Sequence, residues 1–526
     1  MTIRSARPMM VPSAALAILL AFGAAAGQGE ERQESRRYAI VVEKATTEDA
    51  GWNAVVSALA KKHSAEIFRW DKDGLDGMRK RLAAFRPRYV CFVARPDELA
   101  RESRMKVEIQ GGGPREFPLC GAYYHDAGVL MRTLNDDPYD DAIWAILTGG
   151  TSEDALRVVS AGPLTVRRGL SHVGGGWLDS LESGVSFSEG VQGEKLVKQL
   201  GKPPEKVAGP GDTTEQFVRE VNSGSADMVS TSGHATEHDW QMGFSYKNGM
   251  LVPAASIAIL PEAARENYRK LRQNPTAPVP GRLLGVDTAN TVFEVTATNP
   301  KVYYSPGNCL IGRVDGKDCM ALAWVSHGAM QFSGHVGVQS RSCYEWGAAE
   351  YFLALQGRFS FAESVWLNRQ VMRWELSQGK DDPNKYLCCR NERTFFDQGK
   401  SRFLWETTVL YGDPAWEARV KPTTDPLYDQ ELRVKTLEDG RTELTFLVKM
   451  RRASLPSRPA AFLLQMPAAF RAEIREGPRD LLIADNFALV PFWKAGDQAP
   501  KVGEQFKAVA VVSELPEDLR GKKTGD

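Results

Sequence analysis

Two residues of the chain combine a chemically competent side chain with a strand-like approach: His234, closing Ala226-Asp-Met-Val-Ser-Thr-Ser-Gly-His234, and Cys309, closing Val302-Tyr-Tyr-Ser-Pro-Gly-Asn-Cys309. A cysteine thiolate can attack a peptide carbonyl, and a nearby imidazole can protonate the departing amine and then assist water against the thioester. Both segments read as strands delivering a glycine and then a reactive group at the carboxyl end, where open α/β sheets gather their ligand sites. Gly233 and Gly307 let backbone come close to a substrate. The N–H groups of Ala235 and Cys309 are the expected donors to a tetrahedral oxyanion.

A rival chemistry overlaps the same residues. His234-Ala-Thr-Glu-His238 matches the H-x-x-E-H arrangement of inverted zinc peptidases, in which a helix would hold both histidines on one face and Glu237 would activate zinc-bound water. Gly233, the β-leaning run Met228 to Thr231 and the following Asp239-Trp-Gln-Met-Gly243 oppose a helix there. Cys319 lies in an apolar helical pattern and reads as a packed thiol. The acidic run Asp136, Asp137, Asp140 and Asp141 offers carboxylates for calcium, with a solvated loop as the plainer reading.

The elements that must position these residues alternate. Tyr38–Val42 reads as a strand, Trp52–Ala60 as a helix, Ala65–Trp70 as a strand, Gly74–Phe85 as a helix and Tyr89–Ala94 as a buried strand, a βαβαβ opening that implies a mostly parallel sheet. Ile143–Leu147 then leads through Thr148-Gly149-Gly150 into a helix capped at Thr151 or Ser152. Further on, Thr214–Val221 is helical, Ala226–Ser230, Thr291–Val295 and Val302–Tyr304 are strand-like, and Asp318–Val325 is helical. From about Lys421 the texture changes to short alternating runs such as Glu443–Val448, with turn formers at Asp439-Gly440 and Gly496-Asp497, the pattern of a small β-sandwich.

With these blocks in order, the chain resembles the gingipain-like cysteine peptidases, whose fold and dyad are shared with caspases and legumains. Gly233-His234-Ala235 corresponds to that family's Gly-His-Gly, with alanine for the last glycine, and Cys309-Leu-Ile-Gly312 to its Cys-x-x-Gly. The stretch from Asp318 to Ala329 is similar to the helix and glycine leading into the family's next strand, here Gln331-Phe-Ser-Gly334. Leu410-Tyr-Gly-Asp-Pro414 resembles its Gly-Asp-Pro segment, and Thr148-Gly149-Gly150 with Ser152-Glu-Asp-Ala-Leu156 its Gly-Arg-plus-helix block, Gly150 standing for arginine. The resemblance spans about residues 37 to 418. It implies a caspase-like α/β fold of paired Rossmann-like subdomains (37–165 and 166–418) followed by an immunoglobulin-like β-sandwich (419–526), and a peptidase that works through His234 and Cys309 on protein or peptide substrates without a required cofactor. A secreted binding or scaffold protein on the same fold is the alternative from another class.

The whole chain bounds these readings. Its 526 residues allow several domains, and sixty-six basic against sixty-six acidic residues leave no electrostatic footprint for nucleic acid or anionic lipid. Arg4 and Arg7 ahead of the apolar run Ala14 to Phe22 and the small residues Gly23 to Gly27 read as a signal peptide over 1–27, followed by a polar lead over 28–36. Export to the periplasm or the exterior, with no membrane span after signal removal, is the expectation. Seven cysteines (Cys91, Cys120, Cys309, Cys319, Cys343, Cys388 and Cys389) cannot all pair with one another, and they lack the paired C-x-x-C spacing of a structural zinc site.

Overall fold

The computed structural model of the chain describes residues 37–71, 74–101, 103–109, 113–119, 122–272, 281–337, 346–378, 408–422, 426–466, 470–494 and 496–514. The expected signal peptide and polar lead, and Cys120, Cys343, Cys388 and Cys389, lie outside the described residues. Those up to Pro426 form one compact unit and those from Leu427 a second. No helix among the described residues is long and apolar enough to cross a membrane.

The first unit is built on a mixed, mostly parallel sheet of twelve strands. In chain order they are β1 (Tyr38–Glu43), β2 (Glu66–Trp70), β3 (Tyr89–Val93), β4 (Ile143–Leu147), β5 (Arg168–His172), β6 (Ser183–Phe187), β7 (Glu194–Lys198), β8 (Glu205–Ala208), β9 (Met228–Gly233), β10 (Lys301–Asn308), β11 (Ala329–His335) and β12 (Thr408–Gly412). Across the sheet they run β8-β7-β6-β5-β9-β10-β11-β12-β4-β3-β1-β2. The β3, β4 and β9 segments are buried along their whole length, which is why they read as unbroken apolar or small-residue runs without alternation. Helix α1 (Ala50–His63) is capped by Asp49, whose side chain accepts from Trp52 N–H. The next expected helix, Gly74–Phe85, is a 3₁₀ turn (Leu75–Met78) running into α2 (Arg79–Phe85).

Helix α3 (Ala122–Met131) precedes β4, and α4 (Ser152–Ser160) follows it with Thr151 as the cap, its hydroxyl accepting from Asp154 N–H at 3.3 Å. Helices α5 (Thr214–Asn222), α6 (Met320–Ser326) and α7 (Phe361–Ser377) complete the set used below. The expected helix from Asp318 starts two residues later, because Cys319 is still extended. Between β9 and β10 the chain inserts an antiparallel four-stranded sheet made of Trp240–Gln241, Met250–Pro253, Leu283–Val286 and Val292–Glu294. The unit continues beyond 418, since Ala418–Val420 pairs in parallel with Leu164–Val166.

The second unit holds two antiparallel sheets. Tyr428–Thr436, Thr442–Met450, Gln505–Glu514 and Phe470–Glu476 form one, and Ala460–Leu463, Phe487–Val490 and Leu482–Ile483 the other. Buried and exposed residues alternate from Tyr428 to Leu432, and Phe446 of the first sheet meets Phe462 of the second edge-on at 5.0 Å. Asp439-Gly440 makes the expected hairpin, Gly440 supplying the positive φ of 83°.

Candidate functional site

Strands β9 and β10 are parallel neighbours, with Ser232 opposite Gly307 and Gly233 opposite Asn308. His234 and Cys309 are the next residue on each, so they leave the sheet side by side, where parallel strands lie about 4.8 Å apart. The register is not uniform. Ser230 opposes Tyr304 and Ser232 opposes Gly307, so β10 carries one extra residue in the stretch Ser305-Pro306. Pro306 has no N–H for the ladder, and a bulge is where a central strand tolerates proline. The bulge lets β10 run past the expected Tyr304 to Asn308 and sets which residue faces His234.

Beneath the pair lies a buried polar floor. Tyr303 O–H donates to Thr231 Oγ1 at 2.7 Å, Thr231 donates to Asn308 Oδ1 at 2.8 Å, and Asn308 Nδ2 donates to Gly233 O at 2.9 Å. Ser305 Oγ also donates to Asn308 Oδ1. Asn308 is fully buried and uses both ends of its amide, clamping the two strand ends together. Below the floor, Tyr303 stacks on Phe332 at 4.8 Å and meets Trp324 of α6 at 4.5 Å.

Gly233 has φ of 101°, a conformation that L side chains rarely adopt, and it turns the chain out of β9 so that His234 is exposed. The imidazole stacks on Phe244 at 5.2 Å, and His234 O accepts from Gln241 N–H at 2.8 Å. Ala235 N–H has no hydrogen-bond partner among the described residues. Cys309 is a half-buried thiol, followed by Leu310 in the left-handed region at φ 53°. Leu310 N–H donates to Gly337 O and Gly312 N–H to His335 O, pinning the cysteine loop to the end of β11. A side chain at Gly312 would meet Val409 Cγ1 at 2.8 Å, which gives the glycine of the Cys-x-x-Gly stretch a packing reason.

The H-x-x-E-H helix is absent. Residues 234–239 form a turn closed by Thr236 N–H donating to Asp239, with His238 N–H donating to Thr236 Oγ1, and the chain then enters Trp240–Gln241. The histidines therefore do not share a helical face, because the positive-φ Gly233 and the short Thr236–Asp239 turn leave no room for the supporting helix. Glu237 and His238 instead face the cysteine loop. Glu237 pairs with Arg313 at 3.2 Å, His238 Nε2 with Asp315 at 3.0 Å, and Glu237 O accepts from Met320 N–H at 2.8 Å. His238 Nδ1 lies 3.2 Å from Asp318 O, so both ring nitrogens face acceptors and the charged imidazolium is favoured. The hydrogen bond to Asp315 raises its pKa. Glu237, His238 and Asp315 lie close enough to share a cation, but Arg313 and the imidazolium already compensate the two carboxylates.

Glu189, just beyond β6, is a half-buried acidic residue that the sequence reading did not single out. Its carboxyl sits beside Gly233 and hydrogen-bonds Ser232, Oε2 has no partner, and burial pushes its pKa up to about 7. Phe244 N–H donates to the backbone carbonyl of Glu189 at 2.8 Å, which ties the Glu189 backbone to the residue whose ring stacks on His234.

The remaining expectations are placed as follows. Cys319 is fully buried and burial pushes its thiol up to about 12, as suits a packed side chain. The acidic run does not converge as a calcium cage. Asp140 is buried against Arg373 and Gln370, Asp137 accepts from Tyr139 N–H, Asp141 accepts from Asn135, and Asp136 points to solvent. Each inner carboxylate is engaged by a neighbour in its own loop or by α7, so the run folds as a loop anchor. Comparison with known proteins finds no matching family model, no matching curated protein and no matching solved structure.

Proposed function

We propose that the chain is an exported cysteine endopeptidase with a caspase-like α/β unit and an immunoglobulin-like β-sandwich, cleaving peptide bonds through His234 and Cys309. The observation that carries this reading is the pairing of Gly233 with Asn308, which sends the imidazole and the thiol off adjacent parallel strands. In the reaction Cys309 Sγ attacks the scissile carbonyl carbon, and the N–H groups of Ala235 and Cys309 receive the developing oxyanion. His234 gives its proton to the amine as the C–N bond breaks, leaving a thioester. It then takes a proton from water as the C–O bond forms and the thiolate departs. This chemistry needs no metal. Localisation in the periplasm or outside the cell follows from the export reading of residues 1–27.

The test is hydrolysis of a mixed peptide library by the purified mature protein, with thiol alkylation, metal chelation and the variants Cys309→Ala, His234→Ala and Glu237→Ala. Cys309→Ala and alkylation should abolish cleavage, and His234→Ala should lower it about 10²- to 10⁴-fold. Chelation should leave it intact. Cleavage that survives in Cys309→Ala would reject the dyad, and absence of cleavage by the intact protein on every peptide would favour a non-catalytic binding role.

A further inference from the structure

The ladder that sets His234 beside Cys309 ends at Gly233 and Asn308, so the two N–H groups assigned to the oxyanion lie beyond it. Ala235 belongs to the turn that follows His234, and Cys309 opens the loop that runs to α6. Each is tied first to a neighbour of its own. Gln241 N–H on His234 O fastens the turn to Trp240–Gln241, while Leu310 N–H and Gly312 N–H fasten the loop to the end of β11. None of those bonds sets the distance from Ala235 to Cys309.

Among the described residues, the turn and the loop are joined past the ladder by a compact group of charges and by two backbone carbonyls. Arg313 Nη1 meets Glu237 Oε1 at 3.2 Å, and Asp315 meets His238 Nε2 at 3.0 Å. Arg313 is itself held close to the cysteine, because its N–H donates to Leu310 O at 2.8 Å. Glu237 O accepts from Met320 N–H, and Asp318 O lies 3.2 Å from His238 Nδ1. Ser256, from the 3₁₀ turn Ala254–Ile259 of the insertion, closes the group, donating to Asp318 O at 3.3 Å with its hydroxyl 3.2 Å from His238 Nδ1. An isolated exposed ion pair adds little to stability, but here two cations and two anions interlock between short loops, and the Glu237 side chain is only 16% exposed.

We propose that Glu237, His238, Arg313 and Asp315 are positioning residues, a two-pair clamp that holds the Ala235 and Cys309 N–H groups at the spacing the oxyanion requires. The inference rests on the peptidase reading and adds to it the part that fixes the oxyanion donors. Such donors work because they are in place before charge develops, so slack between the two loops is felt in the transition state more than in substrate binding. The clamp also gives the H-x-x-E-H stretch a role that its spacing does not suggest, with Glu237 and His238 bracing the turn that His234 begins.

The experiment measures kcat and KM of the purified protein on one cleaved peptide, with melting curves, for the unmodified chain, Glu237→Arg, Arg313→Glu, the double variant carrying both, and Asp315→Asn. Glu237→Arg sets two guanidiniums face to face and Arg313→Glu two carboxylates. Each should lower kcat about tenfold with KM changed less than about twofold. The double variant restores the pair with its charges exchanged and should recover most of that loss, an outcome closed to a glutamate that activates metal-bound water. Asp315→Asn, which keeps the shape but removes one charge, should lower kcat about threefold. Unchanged kcat in the single variants, losses confined to KM, or a double variant no better than the product of the singles overturns the clamp and leaves the peptidase reading standing. Absence of hydrolysis by the unmodified chain overturns both. Should a single charge reversal fail to fold, the double variant and Asp315→Asn decide.

Discussion

Gly307→Ala should cripple the dyad without touching either of its residues. Gly307 has ordinary backbone torsions, so the effect is steric. A Cβ there would meet Ser232 Oγ at 2.0 Å, Ser232 Cβ at 2.8 Å and Ser232 Cα at 3.4 Å. The hydroxyl can rotate away, but the two β-carbons must separate by about 0.7 Å to reach a normal carbon contact. That displacement falls between paired positions two residues before His234 and Cys309. Overpacking of this kind costs about 1–3 kcal/mol of stability, and a misplacement approaching 1 Å lowers the rate about 10- to 100-fold. Ser232→Gly removes both clashing atoms and should rescue Gly307→Ala. Because Ser232→Gly also strips a hydrogen bond from Glu189, the comparison is a full cycle of four proteins assayed for kcat and KM on one peptide. The expected loss lies in kcat, with a favourable coupling of about 1–2 kcal/mol in the double variant. Full activity in Gly307→Ala, or a double variant no better than the product of the singles, would refute the reasoning.

Three further outcomes follow from the charges. The His238–Asp315 pair should contribute stability fully below pH 6.5 and lose it as pH rises through the raised pKa of His238; the Asp315 share, with its pKa lowered by the same bond, is present above pH 3.8 and fades as pH falls through its folded value. An NMR titration of His238 should show a midpoint above 6.5 that Asp315→Asn returns toward 6.5. Glu189, pushed up to about 7, holds a proton in the folded chain that the unfolded chain releases, so stability should fall as pH rises from 4.5 to about 7, and melting curves of Glu189→Gln should lack that share. Asp413 is fully buried and accepts from Tyr38 O–H at 2.9 Å, His63 at 2.7 Å and Lys62 at 3.2 Å, so Asp413→Ala should cost about 3 kcal/mol in urea unfolding.

Much of the scaffold was legible because local rules decide it. Apolar runs marked β1, β3 and β4 as interior strands, the Thr151 hydroxyl marked the start of α4, and glycine followed by histidine or preceding cysteine marked two strand ends. These features depend on residues within a few positions of one another. Other features required the folded chain. The bulge at Ser305-Pro306 sets the partner of every later residue in β10, and register is a property of two strands, so no reading of β10 alone could place Cys309 beside His234. Of the four-stranded insertion after His234, only Val292–Glu294 falls in an expected strand, Thr291–Val295; the other three strands, two to four residues long, are too short to show a period. The H-x-x-E-H spacing matched a helical ligand set, but the φ of 101° at Gly233 and the turn at Thr236–Asp239 direct Glu237 and His238 toward Arg313 and Asp315. Glu189 is an unremarkable acidic loop residue until β6 brings it beside Gly233. The sequence by itself therefore determined many of the element types and named the candidate dyad, which follow from short-range sterics and side-chain chemistry. Tertiary structure alone decided the pairing, burial and charge partners, because those depend on contacts between residues tens to hundreds of positions apart.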